Sequence, residues 1–202
     1  MTEPVSRRTH LVILIGAFAA GLLSVLALIL FVTGNSRDTL LPAPSAVGGP
    51  FQLVNQDGQQ VTDATFRERP FLVFFGFTHC PDICPTTLFE VSEILRQLGP
   101  DGDRIRALFV TVDPQRDTPA KLKDYLSSFD PRLIALTGTP QAIEAMTKAY
   151  RVYAKKTPLQ GDDYTMDHTA LVYLMDKQGR FVAPFNVKRK PEEAAVELKR
   201  YL

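Results

Sequence analysis

The sequence has 202 residues, enough for one globular domain with additional segments. Its 23 basic and 22 acidic side chains give a formal net charge of +1, which excludes the strongly basic surface that binds nucleic acid. Its two cysteines, Cys80 and Cys84, cannot supply the several disulfides of a small secreted scaffold, and a chain of this length does not need them.

Residues 11–32 form the first predicted element. They contain no charged side chain, and a helix of about 20 apolar residues crosses the hydrocarbon core of a bilayer. A cleaved signal peptide would have a shorter apolar run and a small-residue cleavage site, which "TGNSRDTL" lacks. Arg7 and Arg8 resemble a twin-arginine export signal, but two arginines before an apolar helix are also expected from the positive-inside rule alone. The same rule places residues 1–10 in the cytoplasm. We therefore predict a single-pass transmembrane anchor.

A linker and one domain follow this anchor. Residues 33–50 are rich in Gly, Pro, Ser and Ala without periodicity, which predicts a flexible linker before a domain over residues 51–202. The domain opens with "FQLVNQDGQQVT", a predicted hairpin that turns at Asp57-Gly58. The apolar run "FLVFFGF" at residues 71–77 then predicts a strand that is buried on both faces.

Strands and helices alternate in the rest of the domain. A helix of apolar 3.6-residue periodicity follows the second cysteine and ends at Gly99. The later predicted elements are a strand over 105–113, a helix over 118–129, a strand over 133–136, a helix over 139–150, a hairpin over 168–185 and a helix over 191–202. Two of these helices open with Thr-Pro, typical of an N-cap and first helical position. This order predicts an α/β fold of thioredoxin-like architecture, with a central mixed sheet flanked by helices.

Cys80 and Cys84 lie where the buried strand ends and a helix begins. The positive end of a helix favours the thiolate, which is both a nucleophile and a metal ligand. A structural disulfide across so short a loop would add only about 2 kcal/mol on the chain-entropy model. The pair is similar to a thioredoxin redox motif, but three residues rather than two separate the thiols, which leaves room for an ion. Redox and metal-binding interpretations both stay open.

A third candidate ligand is His168, which precedes a predicted strand in "MDHTALVYL". In thioredoxin-like chains the loop before this strand packs against the cysteine loop, so His168 is placed to complete a site of two sulfurs and one nitrogen. Thiolates with imidazole select copper(I) or zinc, and a structural zinc site would need a fourth ligand that no nearby cysteine or histidine supplies. We therefore hypothesise a three-coordinate copper(I) site made by Cys80, Cys84 and His168.

Three aspartates are weaker candidates. Asp113 ends a strand at the edge where ligands gather in open α/β sheets. Asp167 either orients His168 from behind or is simply exposed. Asp117 is predicted to cap the next helix.

The blocks "GFTHCPDICPTTL", "VTVDPQRDTP" and "MDHTALVYL", in this order behind an N-terminal anchor, closely resemble the Sco family, also called SenC or PrrC. The resemblance extends from about residue 50 to the end of the chain. It implies a membrane-tethered, thioredoxin-fold copper protein that assists assembly of the binuclear copper centre of cytochrome c oxidase subunit II. It also implies copper ligands at Cys80, Cys84 and His168, and an acidic position linked to copper handling at Asp113.

Two functional hypotheses follow. The first is a metallochaperone that binds copper(I), copper(II) or both and passes the ion to its partner. The second is a thiol–disulfide oxidoreductase whose redox-active pair, Cys80 and Cys84, reduces the partner's cysteines before copper loading. His168 separates them, because a dithiol reductant does not require it. A peroxiredoxin-type peroxidase is disfavoured, since no Pro-x-x-x-Thr-x-x-Cys sequence precedes Cys80.

The predicted location is the bacterial inner membrane, with the domain in the periplasm. Periplasmic copper chaperones and thiol reductants are further predicted partners there.

Overall fold

The computed structural model describes residues 7–35 and 47–202, and gives side-chain surroundings for residues 15–31 and 47–202. The chain divides into two compact units, Met1–Ala43 and Pro44–Leu202. Residues 1–6 of the predicted cytoplasmic segment lie outside the described residues. So do residues 36–46, which form most of the predicted linker.

Helix α1 (Arg7–Asn35) lies in the first unit. Over residues 15–31 every side chain is exposed. In the part of the chain that the structure describes, no helix is both long enough and apolar enough to span a membrane. The transmembrane helix predicted over residues 11–32 is therefore not confirmed.

The second unit alternates strands and helices. Its strands are β1 (Gln52–Asn55), β2 (Gln60–Thr62), β3 (Phe71–Gly76), β4 (Arg106–Thr111), β5 (Leu133–Thr137), β6 (Ala154–Pro158), β7 (Tyr164–His168), β8 (Val172–Met175) and β9 (Phe181–Phe185). Its α-helices are α2 (Ile83–Leu98), α3 (Pro119–Leu126), α4 (Pro140–Ala149) and α5 (Pro191–Lys199). Short 3-10 helices cover Asp63–Phe66 and Gly99–Arg104.

A seven-stranded sheet in the order β2-β1-β5-β4-β3-β8-β9 forms the centre of this unit. Strand β4 runs parallel to both β3 and β5, whereas β1, β8 and β9 pair antiparallel to their neighbours. The predicted central mixed sheet flanked by helices is confirmed. Strands β6 and β7 form a separate antiparallel pair, which was not predicted from the sequence.

Local sequence explains the elements around the centre of the sheet. All six residues of β3 are buried, as its continuous apolar run predicts. The Thr-Pro starts are also confirmed: Thr118 accepts a hydrogen bond from the Lys121 amide, and Thr139 accepts one from the Ala142 amide. The candidate site lies beyond the ends of β3 and β4.

Candidate metal centre

The two thiols lie where β3 gives way to α2. Cys80 is half-buried in the connecting loop, and Cys84, the second residue of α2, is fully buried. The backbone amide of Cys84 donates to Cys80 Sγ at 3.4 Å, so this sulfur accepts one of the first-turn amides that lack partners within the helix. Both cysteines are free thiols.

His168 stands beside the buried thiol, with its Nε2 3.8 Å from Cys84 Sγ. Its Nδ1 lies 3.1 Å from the carbonyl oxygen of Thr169. Because a carbonyl oxygen only accepts, Nδ1 carries the proton and Nε2 presents its lone pair towards the thiol. The Phe77 ring and the imidazole pack in a T-shaped arrangement, with the ring centroids 5.7 Å apart.

The position of His168 in the fold differs from the prediction. It is the last residue of β7, paired with Ala154 of β6, rather than the start of the first strand of the predicted hairpin over 168–185. That strand, β8, begins only at Val172. The hairpin of β6 and β7 that carries His168 was not predicted from the sequence.

Burial raises the pKa of the Cys84 thiol above its ordinary value of 9.0, and this desolvation outweighs a backbone hydrogen bond with Phe77 that acts in the opposite direction. The expected preference for thiolate at the helix start is therefore wrong for Cys84. Burial likewise raises the pKa of Tyr125, whose hydroxyl is buried without a hydrogen-bond partner. The Cys84 thiol therefore retains its proton at neutral pH until a metal ion displaces it.

Asp117 braces the cysteine loop. Its carboxylate is completely buried and accepts hydrogen bonds from the Thr78 amide at 3.1 Å, the Thr78 hydroxyl at 2.6 Å and the Thr111 hydroxyl at 2.6 Å. The predicted capping role is wrong, because Thr118 is the N-cap of α3. Asp117 instead ties the loop that carries Cys80 to the end of β4.

Asp113 and Asp167 differ in their burial and in their partners. Asp113 is buried, pairs with Arg116 Nε at 2.5 Å, and accepts a hydrogen bond from the Tyr164 hydroxyl at 2.9 Å. Asp167 is exposed and lies opposite Lys155 on the hairpin. The Nδ1 of the neighbouring histidine bonds to a backbone carbonyl rather than to this carboxylate.

The proposed donors come together pairwise, Cys80 with Cys84 and Cys84 with His168. Within the described residues, no three His, Cys, Asp or Glu side chains are arranged as they stand to hold a metal ion. The donor types nevertheless match a soft ion, because two sulfurs and an imidazole nitrogen suit copper(I) better than any hard cation.

Gly76 provides the space that the buried thiol occupies. A Cβ added to Gly76 would lie 2.8 Å from Cys84 Sγ and 2.7 Å from Phe109 Cε2. We expect Gly76→Ala to lower the free energy of unfolding by about 1–3 kcal/mol through overpacking. The substitution should also make Cys84 react faster with iodoacetamide. Urea unfolding and mass spectrometry of alkylated peptides measure the two effects. Gly21→Ala is the control, because its added methyl group meets nothing within 4 Å.

Comparison with known proteins identifies the family of this chain. Residues 41–202 match the family model described as SCO1/SenC. The chain belongs to this family. The mitochondrial SCO1 homolog 1 of Arabidopsis thaliana is 40% identical over 139 residues, which cover 68% of this chain and 42% of that protein. An SCO2-like protein of Rickettsia prowazekii is 40% identical over 141 residues, which cover 69% of each chain.

The SCO1/SenC fold is also evident from solved structures. The structure of Bradyrhizobium japonicum ScoI with copper bound has 62% sequence identity and a TM-score of 0.76. The match covers 77% of this chain and 99% of that one. The chain spans less than half the length of the Arabidopsis relative and about two thirds of the Rickettsia relative.

Proposed function

We propose that this chain is a copper metallochaperone that binds the ion through Cys80, Cys84 and His168. It then delivers the ion to the binuclear copper centre of cytochrome c oxidase subunit II. The observation that carries the proposal is the position of His168 Nε2, which faces the Cys84 sulfur at 3.8 Å. Cys84 itself lies four positions after Cys80, at the start of α2. Support comes from the related ScoI, whose structure contains bound copper.

The environment of each ligand assigns it a step in loading. Cys84 lies deepest and must release its proton, because a thiolate rather than a thiol binds copper. The Thr169 carbonyl holds the Nδ1 proton of His168, so Nε2 is already free. Cys80, half-exposed, is the ligand that incoming and outgoing partners reach first. The ion thus arrives from a periplasmic copper chaperone, and leaves for subunit II, by exchange of sulfur ligands at Cys80.

Replacing His168 tests the ligand set. In copper(I) titrations of the full chain in detergent, against a chelator of known affinity, His168→Ala should bind at least about tenfold more weakly, or about 1.4 kcal/mol. His79→Ala is the matched control, because His79 adjoins Cys80 but is exposed and should leave the affinity within about twofold. Equal affinities for His168→Ala and the unmodified chain would remove His168 from the site.

A thiol–disulfide oxidoreductase is the second candidate, favoured by the contrast between an accessible Cys80 and a buried Cys84. Cys80 thiolate would attack the partner's disulfide to form a mixed disulfide and release one partner thiolate. Cys84 would then resolve it, leaving a Cys80–Cys84 disulfide and two reduced cysteines on the partner. This chemistry needs no imidazole ligand, so His168→Ala should reduce an oxidised subunit II peptide as fast as the unmodified chain does. Failure of the unmodified chain to reduce that peptide would exclude the role.

An anchor over residues 11–32 completes the proposal and places the domain outside the cytoplasm of a bacterial inner membrane. Its support is the uncharged sequence together with the exposed apolar side chains of α1 between residues 15 and 31. A periplasm-dependent reporter fused after Leu202 should be active in cells, and the chain should remain with the membrane fraction after alkaline extraction. Reporter activity confined to the cytoplasm would contradict this topology.

A further inference from the structure

The hairpin of β6 and β7 carries His168, yet its strands pair with each other and not with the central sheet. Every residue of β6 except Thr157 is exposed, so β6 buries little apolar surface. An isolated two-stranded hairpin is marginally stable in water. Something else must therefore hold the end of β7 in place over the cysteines.

Arg116 contacts the start of β7 from the loop that follows β4. Its Nε donates to Asp113 Oδ2 at 2.5 Å, and its Nη1 donates to the Tyr164 carbonyl at 2.9 Å and to Asp163 Oδ1 at 3.3 Å. The guanidinium carbon lies 3.7 Å from the centroid of the Tyr164 ring. The Arg116 side chain thus joins the loop after β4 to the start of β7, through the Asp163 carboxylate and the carbonyl and ring of Tyr164.

Tyr164 returns the connection. Its hydroxyl donates to Asp113 Oδ1 at 2.9 Å, so the two oxygens of this carboxylate bind the arginine and the tyrosine separately. On the other face of the ring, Lys156 Nζ lies 3.6 Å from the centroid. The tyrosine ring is therefore held between two cations, and cation–π pairs of this kind each contribute about 0.5–1 kcal/mol even at exposed sites.

Two paths lead from Arg116 to the imidazole. The first runs along β7, in which Tyr164 and His168 are four positions apart and so face the same side of the strand. The second runs through Phe77, whose ring lies 6.0 Å from the guanidinium carbon and packs edge-on against His168 at 5.7 Å. Arg116 thus touches both supports of the ligand without touching the ligand itself.

We propose that Arg116 and Tyr164 are positioning residues that hold His168 Nε2 against Cys84, and that copper affinity depends on them through His168. This inference rests on the proposed function. It explains the buried ion pair of Arg116 with Asp113 in a loop near the thiols. The planar guanidinium contacts the Asp113 carboxylate, the Tyr164 carbonyl and the Tyr164 ring at the same time, which a lysine cannot do. The inference also gives Asp113 a role, because its carboxylate binds both Arg116 and Tyr164.

A double-mutant cycle in the full chain tests the dependence. Arg116→Lys should weaken copper(I) binding about tenfold in the unmodified chain but less than about twofold in a His168→Ala background. Tyr164→Phe, which keeps the ring stacked, should cost less than Tyr164→Leu, which removes it. The control Arg180→Lys alters an exposed pair with Asp176 in the turn between β8 and β9 and should have no effect. Equal weakening by Arg116→Lys in both backgrounds, or none in either, overturns the proposal.

Hydrogen exchange without copper separates this inference from the proposed function. In Arg116→Lys, amides of the peptide over residues 164–168 should exchange about tenfold faster, while those of β3 stay unchanged. Arg180→Lys should leave both peptides unchanged. Unaltered exchange at residues 164–168 refutes the positioning role whatever the copper data show. If instead exchange rises but His168→Ala binds copper normally, the proposed ligand set fails and the dependence of copper affinity on Arg116 fails with it.

Discussion

Replacing Asp117 with alanine is expected to lower the free energy of unfolding by about 3–4 kcal/mol, near the upper end for single substitutions. The carboxylate is completely buried and accepts hydrogen bonds from the Thr78 amide and from the hydroxyls of Thr78 and Thr111. Alanine would leave these three donors without acceptors in a site closed to water. Hydrogen bonds to a carboxylate contribute about 1.5–3 kcal/mol each, and shared geometry makes their sum less than additive.

The effect should reach the copper site as well as the core. Thr78 lies two residues before Cys80, so loss of its amide contact frees the turn that carries the accessible thiol. Urea unfolding followed by circular dichroism measures the stability change, and copper(I) titration below the unfolding transition measures the second effect. Asp162→Ala is the control, because Asp162 is exposed and its loss should change stability by no more than about 0.5 kcal/mol. A comparable small change for Asp117→Ala would show that the loop does not depend on this carboxylate.

The parts of the fold that were predicted correctly are those with a strong local signal. The apolar run of β3, the turn at Asp57-Gly58 and the Thr-Pro starts of α3 and α4 each determine structure within a few residues. The burial of β3 on both faces was also predicted correctly, because a continuous apolar run is typical of a central strand that is covered on both sides. The position of the cysteines between a strand and a helix follows directly from these elements.

The missed parts depend on contacts between distant residues. Strand β6, with the sequence AKKTP, is mostly exposed and shows no alternation of apolar residues, so nothing in its sequence indicates a strand. Asp117 was assigned to the nearest helix because its contact with Thr78 spans 39 positions. The link between Arg116 and Tyr164 spans 48 positions. Only the folded sheet brings these polar groups to one edge, and local patterns do not record that.

Replacing Cys84 with serine should weaken copper(I) binding by at least about a hundredfold, or about 2.7 kcal/mol, because a hydroxyl oxygen is a hard donor that retains its proton. Burial raises the pKa of the Cys84 thiol above 9.0 in the folded chain. At neutral pH the ion must therefore displace this proton, and binding that releases a proton strengthens about tenfold per pH unit. Copper affinity of the unmodified chain should accordingly rise with pH.

The pH dependence identifies the proton. In Cys84→Ser the thiol proton is absent, so a plot of log affinity against pH between 6 and 8 should lose about one unit of slope. Thr86→Ala is the control, because Thr86 lies two residues further along α2 on its exposed side. An unchanged slope in Cys84→Ser would mean that the proton released on binding comes from elsewhere. In that case the buried thiol would not be the site at which proton loss and copper entry are coupled.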